Sequence, residues 1–123
     1  MGAAATRSDP LIQIALLGEA IDHAPIAVFV FDADGHYVAV NGQACKLLGY
    51  DRDEIVSRRI GELAVDPREA LREYLAVAEG RADEGTTRVR RGDGEEVTVR
   101  FRGSATKIAG VTFYVGVAWE ADA

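Results

Sequence analysis

The sequence predicts a single α+β domain, and three observations along its 123 residues lead to that prediction. Residues 27–41 show a β-hairpin pattern, in which two apolar runs flank the turn signal Asp34-Gly35. Residues 42–79 show helical spacing with caps and stops. Residues 86–119 contain three further strand patterns, the first two separated by Gly92-Asp93-Gly94. Strands at both ends with helices between them are typical of an α+β fold.

The N-terminal region predicts an amphipathic helix over residues 10–24. Asp9 followed by Pro10 is a typical helix start, because a carboxylate caps free N–H groups and proline fits the first turn. Pro25 ends the helix. We expect residues 1–9 to be a disordered lead or a vector-derived remnant. The apolar surface is wider than one stripe, so we expect the helix either to cap a sheet or to pair with its copy in a second chain.

The first strand of the hairpin is apolar on both faces. Phe29 and Phe31 point to one side, whereas Val28 and Val30 point to the other. A strand of this kind needs cover on both faces. We expect the helices that follow to supply one layer, and the leading helix or a partner chain to supply the other.

The later elements begin and end at recognisable residues. Asn41 is a candidate N-cap for a short helix that Gly49 ends, and Asp51 is a candidate cap for a shorter one. Asp66, with a proline next to it, begins a longer helix that runs to Glu79. The strand after the glycine turn alternates apolar and polar side chains, so we expect one buried face and one wet face.

Charge and composition exclude several classes of function. The net charge of −6 argues against a nucleic-acid partner, because nucleic-acid modules generally carry a basic face. No apolar run approaches the roughly 20 residues needed for a membrane span, and no secretory signal pattern is evident. The single Cys45 cannot form an internal disulfide. We therefore expect a cytoplasmic protein.

The residue pattern favours neither catalysis nor a metal site. His23 and His36 are isolated from cysteine and acidic partners at ligand spacing. Asp32 and Asp34 are typical of turn chemistry. No Gly-rich phosphate loop precedes a helix, and Cys45 has no histidine in an activating pattern. We expect no enzymatic activity and no bound metal.

Four segments, in this order and spacing, resemble the PAS domain family of sensory modules. They are FDADGHYVAVN at 31–41, LLGY at 47–50, RRGDGEEVTVR at 90–100 and FYVGVAWEAD at 113–122. The resemblance implies a PAS domain over residues 25–122, with a five-stranded antiparallel sheet, small helices on one face and the N-terminal helix as a cap. It also implies that ligands lie between the sheet and the helices. Likeness of fold does not decide function, so the function must be inferred from the pocket residues.

Flavin and haem are the less expected ligands. Flavin sensors of the resembled family carry a cysteine on the second helical segment, which residues 53–62 lack, and hold the ring with amides where this sequence has Val89, Val99 and Ala118. A flavin would leave its polar ring groups unpaired there, at a cost of about 1–3 kcal/mol each. Haem sensors of the family place a histidine on the longer helix, and residues 67–79 contain none.

The inward side chains predict an apolar enclosure that is either a plain core or a ligand pocket. By strand alternation and helical spacing, its walls are Phe29, Phe31, Leu48, Ile55, Ile60, Leu63, Leu71, Tyr74, Leu75, Val89, Val97, Val99, Phe101, Tyr114, Gly116 and Ala118. We expect a small hydrophobic ligand, specifically a fatty acid or similar lipid, because each buried methylene contributes about 0.8 kcal/mol. The candidate donors for its carboxylate are Arg58, Arg59, Tyr74 and Tyr114.

The outward face of the last strand predicts a homodimer, because its alternating apolar side chains form a patch too large to remain wet. The predicted interface comprises Leu11, Ile14, Leu17, Ile21, Val28, Val30, Phe113, Val115, Val117 and Trp119. The sequence therefore predicts a sensory module that signals through this interface to an output domain in a longer protein. The alternative is an interaction module with a filled core and no ligand.

Overall fold

The computed structural model describes residues 9–121, so the predicted lead segment up to residue 8 lies outside the described residues. The elements follow the predicted order of one helix, two strands, a set of helices and three strands. They are α1 (Pro10–Asp22), β1 (Ala27–Asp32), β2 (Tyr37–Val40), α2 (Gly42–Leu48), α3 (Arg52–Ile55), α4 (Pro67–Ala78), β3 (Gly85–Arg90), β4 (Glu96–Ile108) and β5 (Val111–Glu120).

The five strands form one antiparallel sheet in the order β2–β1–β5–β4–β3. The predicted α+β class and five-stranded antiparallel sheet are confirmed. The last strand, β5, is central because it pairs with β1 on one side and β4 on the other. The sheet therefore combines strands from the N-terminal and C-terminal parts of the domain, and the helices between β2 and β3 cross one of its faces.

Capping side chains fix where the helices begin. Asn41 Oδ1 accepts a hydrogen bond from the Ala44 N–H in the first turn of α2, and Gly49 follows that helix with a φ of +74°, which glycine adopts without strain. The Asp66 side chain accepts from two backbone N–H groups at the start of α4. Each cap satisfies donors that a helix start leaves unpaired.

The N-terminal helix α1 is tied to the domain at its C-terminal end. The Asn41 side-chain amide donates to the Ile21 carbonyl at 2.7 Å, and Arg52 pairs with Asp22 at 2.6 Å. No residue of α1 is buried. The apolar side chains of α1 therefore remain exposed in the single chain. The predicted pairing of α1 with its copy in a second chain stays a prediction.

The core lies between the sheet and the helices α2, α3 and α4. Ile55 of α3 and Ala44 of α2 are fully buried, and they belong to one cluster with the inward side chains of the strands. Within residues 9–121, no helix is long and apolar enough to cross a membrane.

Candidate functional site

Strand register builds the hollow side of the sheet. Directly paired residues of antiparallel strands share a face, and the β1–β5 register pairs Phe29 with Gly116 and Phe31 with Tyr114. All four residues therefore lie on one face, as strand alternation predicts. Gly116 has no side chain, so space remains opposite the Phe29 ring.

The two remaining strands extend the same face. Phe101 of β4 pairs with Ala118 of β5, and Val97 of β4 pairs with Val89 of β3. Val99 follows on the same side of β4 and is 4% exposed. The predicted inward orientation of these five side chains agrees with the register.

Helix α4 covers the hollow, but with a different side from the predicted one. Ala70, Tyr74 and Val77 follow one another at i, i+4 and i+7 and line the space above the sheet. Leu71 and Leu75 are 47% and 37% exposed, so their prediction as pocket residues is wrong. The helix carries two apolar sides, and packing against the sheet selects the side with the smaller and aromatic residues.

An apolar cavity of about 100 Å³ lies between the sheet and the helices. Twelve of the sixteen predicted wall residues line it: Phe29, Phe31, Leu48, Ile60, Leu63, Tyr74, Val89, Val99, Phe101, Tyr114, Gly116 and Ala118. Ile55 and Val97 belong to the hydrophobic core instead of the cavity wall, which corrects their prediction. Ile55 is fully buried on α3.

Sequence reasoning missed several cavity residues, of which Tyr37 is the largest. A register shift between Val30 and Phe31 pairs Phe31 with Tyr37 and turns the tyrosine ring inward. A bulge of this kind has no clear signal in the sequence. The other missed wall residues are Gly61, Ala64, Ala70, Val77, Ala78, Thr87, Arg102, Gly103, Ser104, Val115 and Val117. Arg102 and the predicted interface residues Val115 and Val117 border the cavity although strand alternation turns their side chains to the outer face. Helical spacing from Tyr74 was the signal available for Ala70 and Val77.

Aromatic rings occupy one end of the cavity. The Phe31 ring centroid lies 4.5 Å from Tyr37 and 5.3 Å from Tyr74, and Tyr74 meets Tyr114 edge-on at 5.7 Å. Such tilted contacts are the favoured aromatic geometry. Burial raises the pKa of both Tyr37 and Tyr74 above the usual range for a phenol, so both keep their protons at neutral pH.

The predicted arginine anchors do not reach the cavity. Arg58 Nε donates to the Glu54 carbonyl, its guanidinium pairs with Glu62 at 4.0 Å, and it lies over the Tyr50 ring. Arg59 is exposed, and neither arginine belongs to the wall. These two predictions are wrong because the loop after α3 is held at the surface by its own contacts. Tyr74 and Tyr114 remain the candidate donors.

The family model described as a PAS domain matches residues 25–119. The chain belongs to the PAS domain family. No curated protein matches this sequence. PAS domains are typical of sensor kinases and other signalling proteins.

Solved PAS domains share its fold. A PAS domain from a two-component sensor histidine kinase is 18% identical, with a TM-score of 0.79 over 92% of this chain and 100% of that one. The PAS domain of an HTR-like protein from Haloarcula marismortui is 23% identical, with a TM-score of 0.74 over 94% and 98%. A domain of a sensory box sensor histidine kinase/response regulator from Geobacter sulfurreducens is 26% identical, with a TM-score of 0.71 over 90% and 96%.

The positions predicted to oppose flavin lie in the cavity wall of this PAS domain. Val89, Val99 and Ala118 are buried and face the cavity, where they present no hydrogen-bonding side chain. A flavin ring held there would lack side-chain partners at these three positions. The preference for an apolar guest over a flavin stays a prediction.

The outer face of the PAS sheet carries the predicted interface residues. Val28 pairs with Val117 and Val30 pairs with Val115, so all four share the face away from the cavity. By alternation Phe113 and Trp119 lie on the same face. On α1, Leu11, Ile14, Leu17 and Ile21 are 78%, 66%, 62% and 46% exposed. The predicted interface residues thus lie on the exposed α1 and on the outer face of the sheet, and the homodimer itself stays a prediction.

The turn between β1 and β2 gathers Asp32, Asp34 and His36, whose ligand atoms lie within 4.8 Å of one another. One Asp32 oxygen accepts from the backbone N–H groups of Asp34 and His36. The hydrogen bond from the His36 N–H is the largest influence holding the pKa of Asp32 below its usual value. The contacts of Asp32 and Asp34 are those of a polar turn, as the sequence predicts. The prediction that His36 is isolated from acidic partners is wrong, because the turn brings His36 Nδ1 to 3.5 Å from an Asp32 oxygen.

Proposed function

We propose that this PAS domain is a sensory module that binds a small hydrophobic molecule in the cavity and signals through a homodimer interface. The cavity carries the proposal, because it is an apolar space between sheet and helices that protein atoms do not fill. Close-packed interiors leave few such voids, and apolar cavities bind apolar guests. In a longer protein, an output domain would receive the resulting change.

The cavity volume limits the guest. A cavity of about 150 Å³ holds benzene, so about 100 Å³ supports a smaller molecule. The fatty acid suggested by the sequence stays a prediction. It requires α4 to move away from the sheet, because its chain is longer than the present space allows. A short acyl chain or another small apolar molecule fits without that movement.

Native mass spectrometry of the purified protein tests ligand binding. We expect a bound molecule that survives gentle conditions in the wild type and is absent from an Ala118→Leu variant, because the added side chain fills the cavity. Ala105→Leu is the matched control, since Ala105 pairs with Tyr114 on the same side of the sheet but is exposed and lies outside the cavity wall. Circular dichroism verifies that both variants fold.

The alternative is a ligand-free interaction module. The aromatic cluster favours it, because Phe29, Phe31, Tyr37, Tyr74 and Tyr114 already occupy much of the hollow. A clean apo mass, with no small molecule recovered by solvent extraction, would support this alternative over ligand sensing.

Light scattering tests the dimer. We expect a mass of two chains for the wild type and of one chain for Val115→Glu or Leu17→Glu, because a buried unpaired charge destabilises an apolar interface. Leu71→Glu is the matched control: Leu71 is exposed on α4, away from the outer face of the sheet, and its variant should keep the two-chain mass. A wild-type mass of one chain at all concentrations would contradict the dimer.

A further inference from the structure

The hydroxyl group of Tyr74 is a polar feature of the cavity wall that the fold leaves unused. Tyr74 lines the cavity, and its Oη atom is buried without a hydrogen-bond partner in the described chain. Buried hydroxyl groups are nearly always paired in native proteins, because an unpaired one loses its bonds to water and gains nothing. The Tyr74 ring packs against the rings of Phe31 and Tyr114, with centroid distances of 5.3 and 5.7 Å. The packing therefore holds a buried, unpaired donor at the aromatic end of the cavity.

The surroundings keep this group a donor. Desolvation by burial raises the pKa of Tyr74, and electrostatic interactions with Tyr114 and Asp32 raise it further, so the O–H proton is retained at neutral pH. A protonated phenol whose oxygen is already desolvated gains most from a partner that accepts a hydrogen bond.

The same surroundings disfavour an anion. Asp32 acts electrostatically on Tyr74, and hydrogen bonds from the His36 and Asp34 backbone keep the Asp32 pKa low, so Asp32 is negatively charged at neutral pH. A carboxylate guest at Tyr74 would meet this negative field. Arg58 and Arg59 lie outside the cavity wall. Arg102 borders the cavity, but its register with Val117 turns its side chain to the outer face, where it pairs with Glu84 at 3.4 Å, so it does not offset the repulsion.

We infer that Tyr74 selects the guest, and that the guest is a neutral, largely apolar molecule with one oxygen acceptor, such as a short-chain ketone. Scaled from the cavity that holds benzene, the volume of about 100 Å³ suits roughly four or five non-hydrogen atoms. This inference rests on the proposed function, because it names the chemistry of the molecule bound in that cavity.

Three probes of similar size separate the possibilities. They are 2-butanone, its hydrocarbon analogue 2-methyl-1-butene, and the anion propionate, each titrated into the full chain and followed by NMR. The wild type should bind 2-butanone and 2-methyl-1-butene and should not bind propionate. Tyr74→Phe should weaken 2-butanone about tenfold, the loss of one hydrogen bond in a buried site, and should leave 2-methyl-1-butene unchanged or tighter.

Tyr114→Phe is the matched control, because Tyr114 lines the same end of the cavity but its hydroxyl is not a buried unpaired group. Tyr114→Phe should bind 2-butanone and 2-methyl-1-butene with affinities within about twofold of those of the wild type. Tyr74→Phe should melt no lower than the wild type, since it removes an unpaired hydroxyl.

The outcomes distinguish this inference from the proposed function. If Tyr74→Phe alters 2-butanone and 2-methyl-1-butene binding equally, or alters neither, the role of Tyr74 is overturned while the cavity remains a binding site. Preferential binding of propionate overturns the neutral guest. If neither neutral probe binds the wild type, the proposed binding function fails together with the inference.

Discussion

Replacing Asn41 with alanine is expected to lower the free energy of unfolding by about 4 kcal/mol. The side chain is 4% exposed and makes four hydrogen bonds. Its Oδ1 atom accepts from the backbone N–H groups of Val28 and Ala44, at 2.9 and 3.0 Å, and its amide donates to the carbonyls of Ile21 and Ile26, at 2.7 and 2.9 Å. Alanine leaves four backbone groups without these partners, at about 1 kcal/mol each.

Asn41 joins four parts of the chain: the end of α1, the loop before β1, β1 itself and the start of α2. Its loss should therefore also release α1 from the domain. Urea denaturation at a fixed protein concentration measures the stability change, and limited proteolysis detects the release of α1. Asp66→Ala is the matched control, because it removes a cap with local bonds alone and should cost about 1 kcal/mol. If Asn41→Ala costs no more than this control, the joining role is wrong.

The sequence predicts the sheet well because its signals are local. The Asp34-Gly35 and Gly92-Asp93-Gly94 turns mark two hairpins, and alternation then assigns each strand residue to a face. Once the faces are assigned, the inward set on the strands follows without knowledge of strand order. This is why Phe29, Val89 and Ala118 were placed in the cavity wall correctly.

The helical part of the site is harder to predict. When a helix has two apolar sides, its amino-acid composition does not determine which side packs against the sheet. On α4 the side with Leu71 and Leu75 is more hydrophobic than the side with Ala70 and Tyr74, yet the latter packs against the sheet. Small residues allow the helix to approach closely, and a tyrosine fills the space that remains. That choice depends on shapes on the opposite sheet, which no local pattern contains.

The volume of the cavity is likewise a tertiary property. It is set by the rings of Phe31, Tyr74 and Tyr114, and by Tyr37, which a strand irregularity turns inward. The sequence predicted an apolar enclosure but gave no basis for its size. The difference between a lipid pocket and a space for four or five atoms therefore appears only when the side chains are packed.

Replacing Gly92 with alanine should destabilise the domain by about 3 kcal/mol or more, because two backbones meet at this glycine. A Cβ atom at Gly92 would overlap the carbonyl oxygen of Gly49. That carbonyl has little freedom to retreat, since Gly49 ends α2 in the left-handed conformation and the Gly92 N–H donates to the neighbouring Leu48 carbonyl at 3.1 Å. The contact fastens α2 to the β3–β4 hairpin.

Gly94→Ala separates this steric effect from backbone strain. Gly94 has a φ of +88° and open space where a Cβ atom would lie. Alanine there should lower the free energy of unfolding by about 1 kcal/mol, which is the cost of the left-handed conformation alone. Urea denaturation of the two variants gives the comparison, and equal losses would contradict a close contact at Gly92. Because Leu48 lies in the cavity wall, a displaced α2 should also reduce the bound molecule seen by native mass spectrometry in Gly92→Ala. Gly94→Ala should retain that molecule, since its hairpin turn lies outside the wall and the attachment of α2 is unchanged.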